Sequence, residues 1–211
     1  MTRLSWGEAG KRLFEAGADR GVLFPRQTAG VSWSGIVSVS EAPSGGDVTP
    51  LYYDGVKYHN FIAAEDFQAV LEAYGAPREF DACDGTKALS PGLFATQQPR
   101  WPFSMSYRTL IGNDIDSIDH GYKLHLVYNC MAQPASVTHK TLGANPDPTT
   151  KQWTIHTVPP PASTFKPTAH FVVDSTLTTA PKLKALEDII YGTALADSRM
   201  PTQAEVIALL A

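Results

Sequence analysis

The stretch Tyr122 to Cys130 constrains the fold more than any other part of the chain. Tyr122, Leu124, Leu126, Tyr128 and Cys130 fall on one side of it, and Lys123, His125, Val127 and Asn129 on the other. A period of two belongs to a β-strand, whose successive side chains point to opposite faces. Val31 to Val39, Phe103 to Leu110, Val137 to Thr141, Gln152 to Val158 and Thr168 to Asp174 are further β-rich runs. Asp54-Gly55 lies between Leu51-Tyr52-Tyr53 and Val56-Lys57-Tyr58. Both residues of that pair accept positive φ, so it signals a two-residue hairpin. Sixteen Gly and sixteen Pro, spread over 211 residues, cut the chain into short segments. The spacing predicts a mainly β fold, an antiparallel sandwich or barrel.

Helices are expected only near the end. Pro181 suits a first turn, Leu183, Leu186 and Ile190 make an apolar stripe, and Gly192 can end it. Thr202-Gln203-Ala204-Glu205 has the form of a capping box and predicts a short helix to Ala211. Asp66 to Tyr74 fits two periods. Phe67, Val70, Leu71 and Tyr74 have helical spacing, while Phe67, Ala69, Leu71 and Ala73 alternate. Residues 1–27 carry no β pattern and hold Gly7, Gly10, Gly17 and Gly21, which weaken a helix. They read as an arm whose Trp6, Leu13, Phe14, Leu23 and Phe24 need an apolar surface, either the chain's own core or a neighbouring subunit. The expected organisation is one domain over 1–211: an arm over 1–27, a β core over 28–192 with a helix near 181–191, and a C-terminal extension over 193–211. Pro159-Pro160-Pro161 is a stiff connector between two strands.

Composition narrows function. Hydrophobic residues are 43% and charged residues only 18%, below the usual quarter. A foldable chain with so little charge suggests surface covered by other protein. The net charge of −4 argues against a general nucleic-acid binder. Cys83 and Cys130 are the only cysteines, too few for a disulfide framework or a four-cysteine zinc site; whether they pair is left open. No apolar run is long enough to span a bilayer, and the first residues lack the apolar centre of a signal peptide. The expectation is a soluble protein made in a cytoplasm.

Catalytic chemistry is not evident. Gly30-Val31-Ser32-Trp33-Ser34-Gly35 fails as a nucleophile elbow, because its second glycine is one position late and it lies in a strand-like run. Phosphate loops, dinucleotide fingerprints and zinc-protease helices are missing. Asn113 to Gly121 gathers Asp114, Asp116 and Asp119, but Ile118 and His125 stand where calcium-loop ligands belong, so it reads as an acidic turn. Of six histidines only His120 and His125 are close in sequence, and five residues apart on a strand they face opposite ways. No metal or cofactor site is expected. Asp81 and Asp84 beside Cys83 would raise its thiol pKa, which is wrong for a nucleophile.

Charge is uneven along the chain. Residues 41–81 hold eight acidic and two basic side chains, whereas 122–170 hold one acidic and four basic. Two solvated faces would account for this. So would opposite patches that meet between copies, or an acidic surface that must not bind its cargo.

Several segments resemble a known family. They are Ala18 to Phe24 followed by Gly30 to Gly35, Ser38 to Gly46, Tyr52 to Tyr58, Glu79 to Gly85, Ser106 to Asp114, Asp119 to Asn129 and the helix near Leu183 to Gly192. In this order they are similar to the major tail proteins of long-tailed, siphovirus-like bacteriophages, especially those infecting actinobacteria. The resemblance implies a tail-tube fold: two antiparallel sheets as a sandwich or barrel with one packed helix. It favours strand at 66–74. It implies a structural virion protein, not an enzyme, that forms stacked hexameric rings around a channel for DNA. Its partners would be itself and the tape measure, tail terminator and distal tail proteins. On this reading Asp47, Asp54, Glu65, Asp66 and Glu72 are expected to charge the lumen, where phosphates would be repelled. Trp6, Leu13, Phe14, Leu23 and Phe24 are expected to make ring-to-ring contacts, together with the 193–211 tail. The rival readings are a carbohydrate-binding β module, whose sugars would stack on some of the four Trp, eight Tyr and nine Phe, and a tail-tip adaptor or terminator ring.

Overall fold

The computed structural model describes residues 3–26, 28–141, 148–162 and 164–211. Positions 1, 2 and 27 of the expected arm lie outside the described residues. The chain runs through β1 (Phe14–Pro25), β2 (Val31–Trp33), β3 (Ile36–Glu41), β4 (Ser44–Gly45), β5 (Val48–Tyr53), β6 (Val56–Ile62), β7 (Glu65–Asp66), β8 (Gln68–Ala73), β9 (Lys87–Ser90) and β10 (Leu93–Ala95). It continues through β11 (Phe103–Asn113), β12 (Ser117–Ala132), β13 (Lys151–Thr157) and β14 (His170–Asp174) to α1 (Ala180–Tyr191) and α2 (Gln203–Leu210).

The sequence expectation of a mainly β, antiparallel fold holds, but the sheet stays open, so the barrel alternative is set aside. Strand order is β2-β1-β11-β12-β13-β8-β3. The 16-residue β12 is the pivot. Along one edge it pairs with β11. Along the other, Lys123 to Val127 pair with β14 and Cys130 to Ala132 pair with β13. Leu71, Trp153 and Ile155 of β8 and β13 share one buried cluster with Leu23, Met105, Tyr107 and Val127 of β1, β11 and β12, so β3-β8-β13 lies over β1-β11-β12.

Each face of the central layer buries its own cluster. Leu23, Trp33, Leu71, Phe80, Met105, Tyr107, Val127, Trp153 and Ile155 fill the space between the layers. Val22, Phe24, Leu124, Leu126, Tyr128 and Val173 pack on the other side against Leu183, Leu186 and Ile190 of α1 and Val206 of α2. Strands buried on both sides explain the unbroken apolar run Val22-Leu23-Phe24. Trp33 is held in the inner cluster by its indole N–H, which donates to the Gly75 carbonyl at 2.8 Å. A charged tie crosses the helix-side layer: Arg108 donates two bonds to Asp19 (2.7 and 2.6 Å) and lies over the Tyr122 ring, whose hydroxyl donates to Glu187.

Both helix expectations are met. Pro181 stands in the first turn of α1, and Gly192 follows it at φ 79°. Thr202 and Glu205 cap α2 reciprocally. The 66–74 region is strand, as β8 with Ala69, Leu71 and Ala73 buried.

Three expectations are corrected. Residues 14–25 are not arm but core strand, leaving 3–13 as the described arm. Val137 to Thr141 forms no strand; it has no ladder partner there. Cys130 does not share a face with Leu124 and Leu126. Asn129 takes φ 48° at a register shift, and this bulge turns Cys130 and Ala132 into the inner cluster. Cys83 and Cys130 are both buried there and unpaired. Burial pushes the Cys83 thiol up to about 11, with Asp84 adding to it, so the thiol stays protonated. Within the 193–211 extension α2 forms as expected, and its Val206 is buried.

Candidate assembly surface

Between β3 and β8 the chain leaves the sandwich, runs out through β4 and β5, and returns through β6 and β7. The tip is the Asp54-Gly55 turn expected from sequence, with φ values of 47° and 77°. The base depends on Gly45: its φ is 83°, and a Cβ there would sit 2.3 Å from the Ala64 carbonyl oxygen.

Every residue of β5 and β6 is exposed. Val48, Leu51, Tyr52, Tyr53, Val56, Tyr58, Phe61 and Ile62 are all large and apolar, with Tyr58 77% and Ile62 72% exposed. Pairing of Val48 with Ile62, and of Leu51 with His59 three residues on, puts apolar groups on both faces. An isolated two-stranded ribbon is marginal in water. Here it also carries a water-facing apolar load far beyond the scattered single residues of an ordinary surface.

The five acidic residues singled out from sequence do not converge. Asp47, Asp54, Glu65 and Asp66 are exposed along the hairpin. Glu72 lies on the outer face of β8. There Thr150 and Ser38 hydroxyls donate to its carboxylate, and the Thr150 bond above all holds it below the usual range. Around Glu72 that outer face carries Gln68 and Val70 on β8, Ser38 and Ser40 on β3, and Gln152, Thr154 and His156 on β13.

The apolar residues expected between rings divide. Trp6 is 84% exposed, and Leu13 and Phe14 are exposed as well. Leu23 and Phe24 are not available to a neighbour. They are fully buried on opposite faces of β1, one in each cluster. The arm is pinned near its middle, where Gly10 N–H donates to Asp114 at 2.9 Å and Asn113 donates to the Gly10 carbonyl. The acidic segment 113–120 is the turn expected, closed by Asn113 accepting from Ile115 N–H and by the Asp116–His120 pair.

Sequence reading missed one cluster. His125 on β12 and His170 on β14 face each other across the β12–β14 ladder, Nδ1 to Nε2 at 3.0 Å. Glu41 at the end of β3 brings Oε1 to 3.3 Å from His125 and 3.9 Å from His170. Burial pushes the His125 imidazole down to about 4, and the neighbouring His170 adds to this. Burial also lowers His170, against the opposing pull of Glu41. No sequence spacing announces this group; only strand register assembles it.

Among the described residues no helix is long and apolar enough to cross a membrane. Neither protein-family models nor curated proteins give a match to this chain.

Proposed function

We propose that the chain is a structural subunit that polymerises head-to-tail into a hollow tube, as in the tails of long-tailed bacteriophages, with DNA passing through the channel without specific binding. The observation that carries this reading is the β5–β6 hairpin. Its eight exposed apolar side chains on two faces are stable in water only when other protein covers both faces, and a repeating assembly supplies such cover at every subunit. The exposed arm residues Trp6, Leu13 and Phe14 need cover for the same reason.

Three further features support it. The open sheet has unpaired edges, which pairing between neighbours would remove. The ordered segments that resemble tail-tube proteins extend over most of the chain. The outer face of β3-β8-β13, with hydroxyls, amides and the single carboxylate Glu72, is the face we assign to the channel. Among the residues named on that face none is a lysine or arginine, which leaves phosphates little to hold. On this reading the virion is the site of action, the subunit is not an enzyme, and its partners are other copies and the proteins that cap and measure the tail.

The test is light scattering coupled to size exclusion across a concentration series, followed by negative-stain microscopy. Rings or tubes that grow with concentration are expected. A monodisperse monomer at every concentration, together with absence of the protein from intact particles, would refute the proposal. Glycan binding by that monomer would favour a carbohydrate-binding module, and single closed rings without stacking would favour an adaptor or terminator.

A further inference from the structure

We propose that Glu41, His125 and His170 form a binding site for one divalent transition-metal ion of the zinc type, clamping the two sheet layers together at the root of the hairpin. Their donor atoms stand 3.0, 3.3 and 3.9 Å apart. In a tetrahedral zinc site with bonds of about 2.0 Å, donors lie roughly 3.3 Å from one another. The three atoms therefore need to shift by only a few tenths of an ångström to share an ion. Two imidazoles and one carboxylate suit zinc, cobalt or nickel, and disfavour magnesium and calcium, which take oxygen ligands.

The surroundings are those of a ligand set. His125 Nε2 is 3.0 Å from the Thr109 hydroxyl. With the proton on Nε2 and Thr109 accepting it, Nδ1 presents its lone pair to the cluster. Tyr107 donates its hydroxyl to Glu41 Oε1 at 2.8 Å and stacks on the His125 ring. Each of these contacts fixes the orientation of a donor, as outer partners of metal ligands do. Without an ion, the two facing nitrogens must share a proton. Binding an ion would require that proton to move to His170 Nδ1, which would leave both facing lone pairs to the ion with no net proton release. The site also has an approach. A cavity of about 420 Å³ is lined by Glu41, His170, Thr168, Glu65, Phe67 and Lys166. It is wide enough for water to fill the fourth position.

The position gives the ion a structural consequence. Glu41 belongs to the folded-back layer, and both histidines belong to the central one. Glu41 is also three residues before β4, where the hairpin leaves the sandwich. The metal site does not depend on the assembly proposal.

The experiment is titration of chelator-stripped full-length protein with zinc, competed against a fluorescent zinc indicator. Cobalt is used in parallel, because a four-coordinate cobalt site has strong visible absorption. One equivalent should bind, magnesium should not compete, and zinc should raise the melting temperature reversibly with chelator. Glu41→Gln should weaken binding by more than about 10-fold, and His170→Ala should abolish the cobalt spectrum, while His139→Ala on the exposed 133–141 segment should change neither. Glu41→Gln preserves shape, so it decides the matter if His170→Ala fails to fold. Absence of stoichiometric binding by the wild type, or binding unchanged in Glu41→Gln, would overturn the proposal.

Discussion

Replacing Tyr58 and Ile62 by serine separates the role of the hairpin from the stability of the fold. Both side chains are mostly exposed, on a ribbon whose every residue faces water. In the free subunit the double variant should therefore change stability by no more than about 0.5 kcal/mol and the melting temperature by about 2 °C. In an assembly the exposed surface is what a neighbour covers. Tyr58 offers on the order of 150 Å² and Ile62 on the order of 100 Å². If half of that is buried, at about 25 cal/mol per Å², the two residues contribute roughly 3 kcal/mol to each contact. The concentration needed for polymerisation should then rise about 100-fold. Sedimentation of polymer over a concentration series measures this directly, with thermal melts of the same samples. Unchanged polymerisation in a normally folded double variant would refute the argument that the hairpin is completed by another copy. A large loss of melting temperature would show instead that the hairpin packs on its own subunit.

Two further outcomes test the fold. Leu71 is fully buried between the layers, so Leu71→Ala should cost about 2–5 kcal/mol, read as a lower urea midpoint at constant slope. Glu205 is pulled down to about 2, first by its paired bonds from Arg199 and then by the Thr202 backbone N–H. Its stabilising effect is thus complete above the ordinary carboxyl pKa of 4.5 and is lost as pH falls from there toward 2. Because the pair is half exposed, solvent screening holds the effect to about 1 kcal/mol. The melting-temperature gap between wild type and Glu205→Gln should be largest near pH 7 and narrow below pH 4.5; a gap that widens on acidification would contradict the sign.

What could be read from the residues follows from how local the signal is. The β11 and β12 strands, the Asp54-Gly55 turn and the caps of both helices rest on neighbours in sequence, and they were legible. β1 was not. Its ladder slips twice, between Ala16 and Ala18 and between Asp19 and Val22, and Arg20 takes φ 48°. The alternation is scrambled there, and the strand's glycines suggested an arm. The reversal of Cys130 has the same origin, since one bulge inverts the faces beyond it. Val137 to Thr141 has strand-forming residues but no ladder partner, and propensity alone does not make a strand. The assembly surface was half legible: the apolar arm residues Trp6, Leu13 and Phe14 could be singled out from sequence, whereas nothing in the run over β5 and β6 distinguishes a hairpin exposed on both faces from any other hairpin. Glu41, His125 and His170 are 45 and more residues apart and become neighbours only through register, so composition gave no hint of them.

Electron cryo-microscopy of the concentrated protein, at a resolution that traces strands, tests the central claim most directly. The account predicts stacked rings in which the β5–β6 hairpin of each copy lies against its neighbours and the β3-β8-β13 outer face, with Glu72, lines the channel. Particles in which the hairpin remains solvent-exposed, or in which that face points outward, would contradict it.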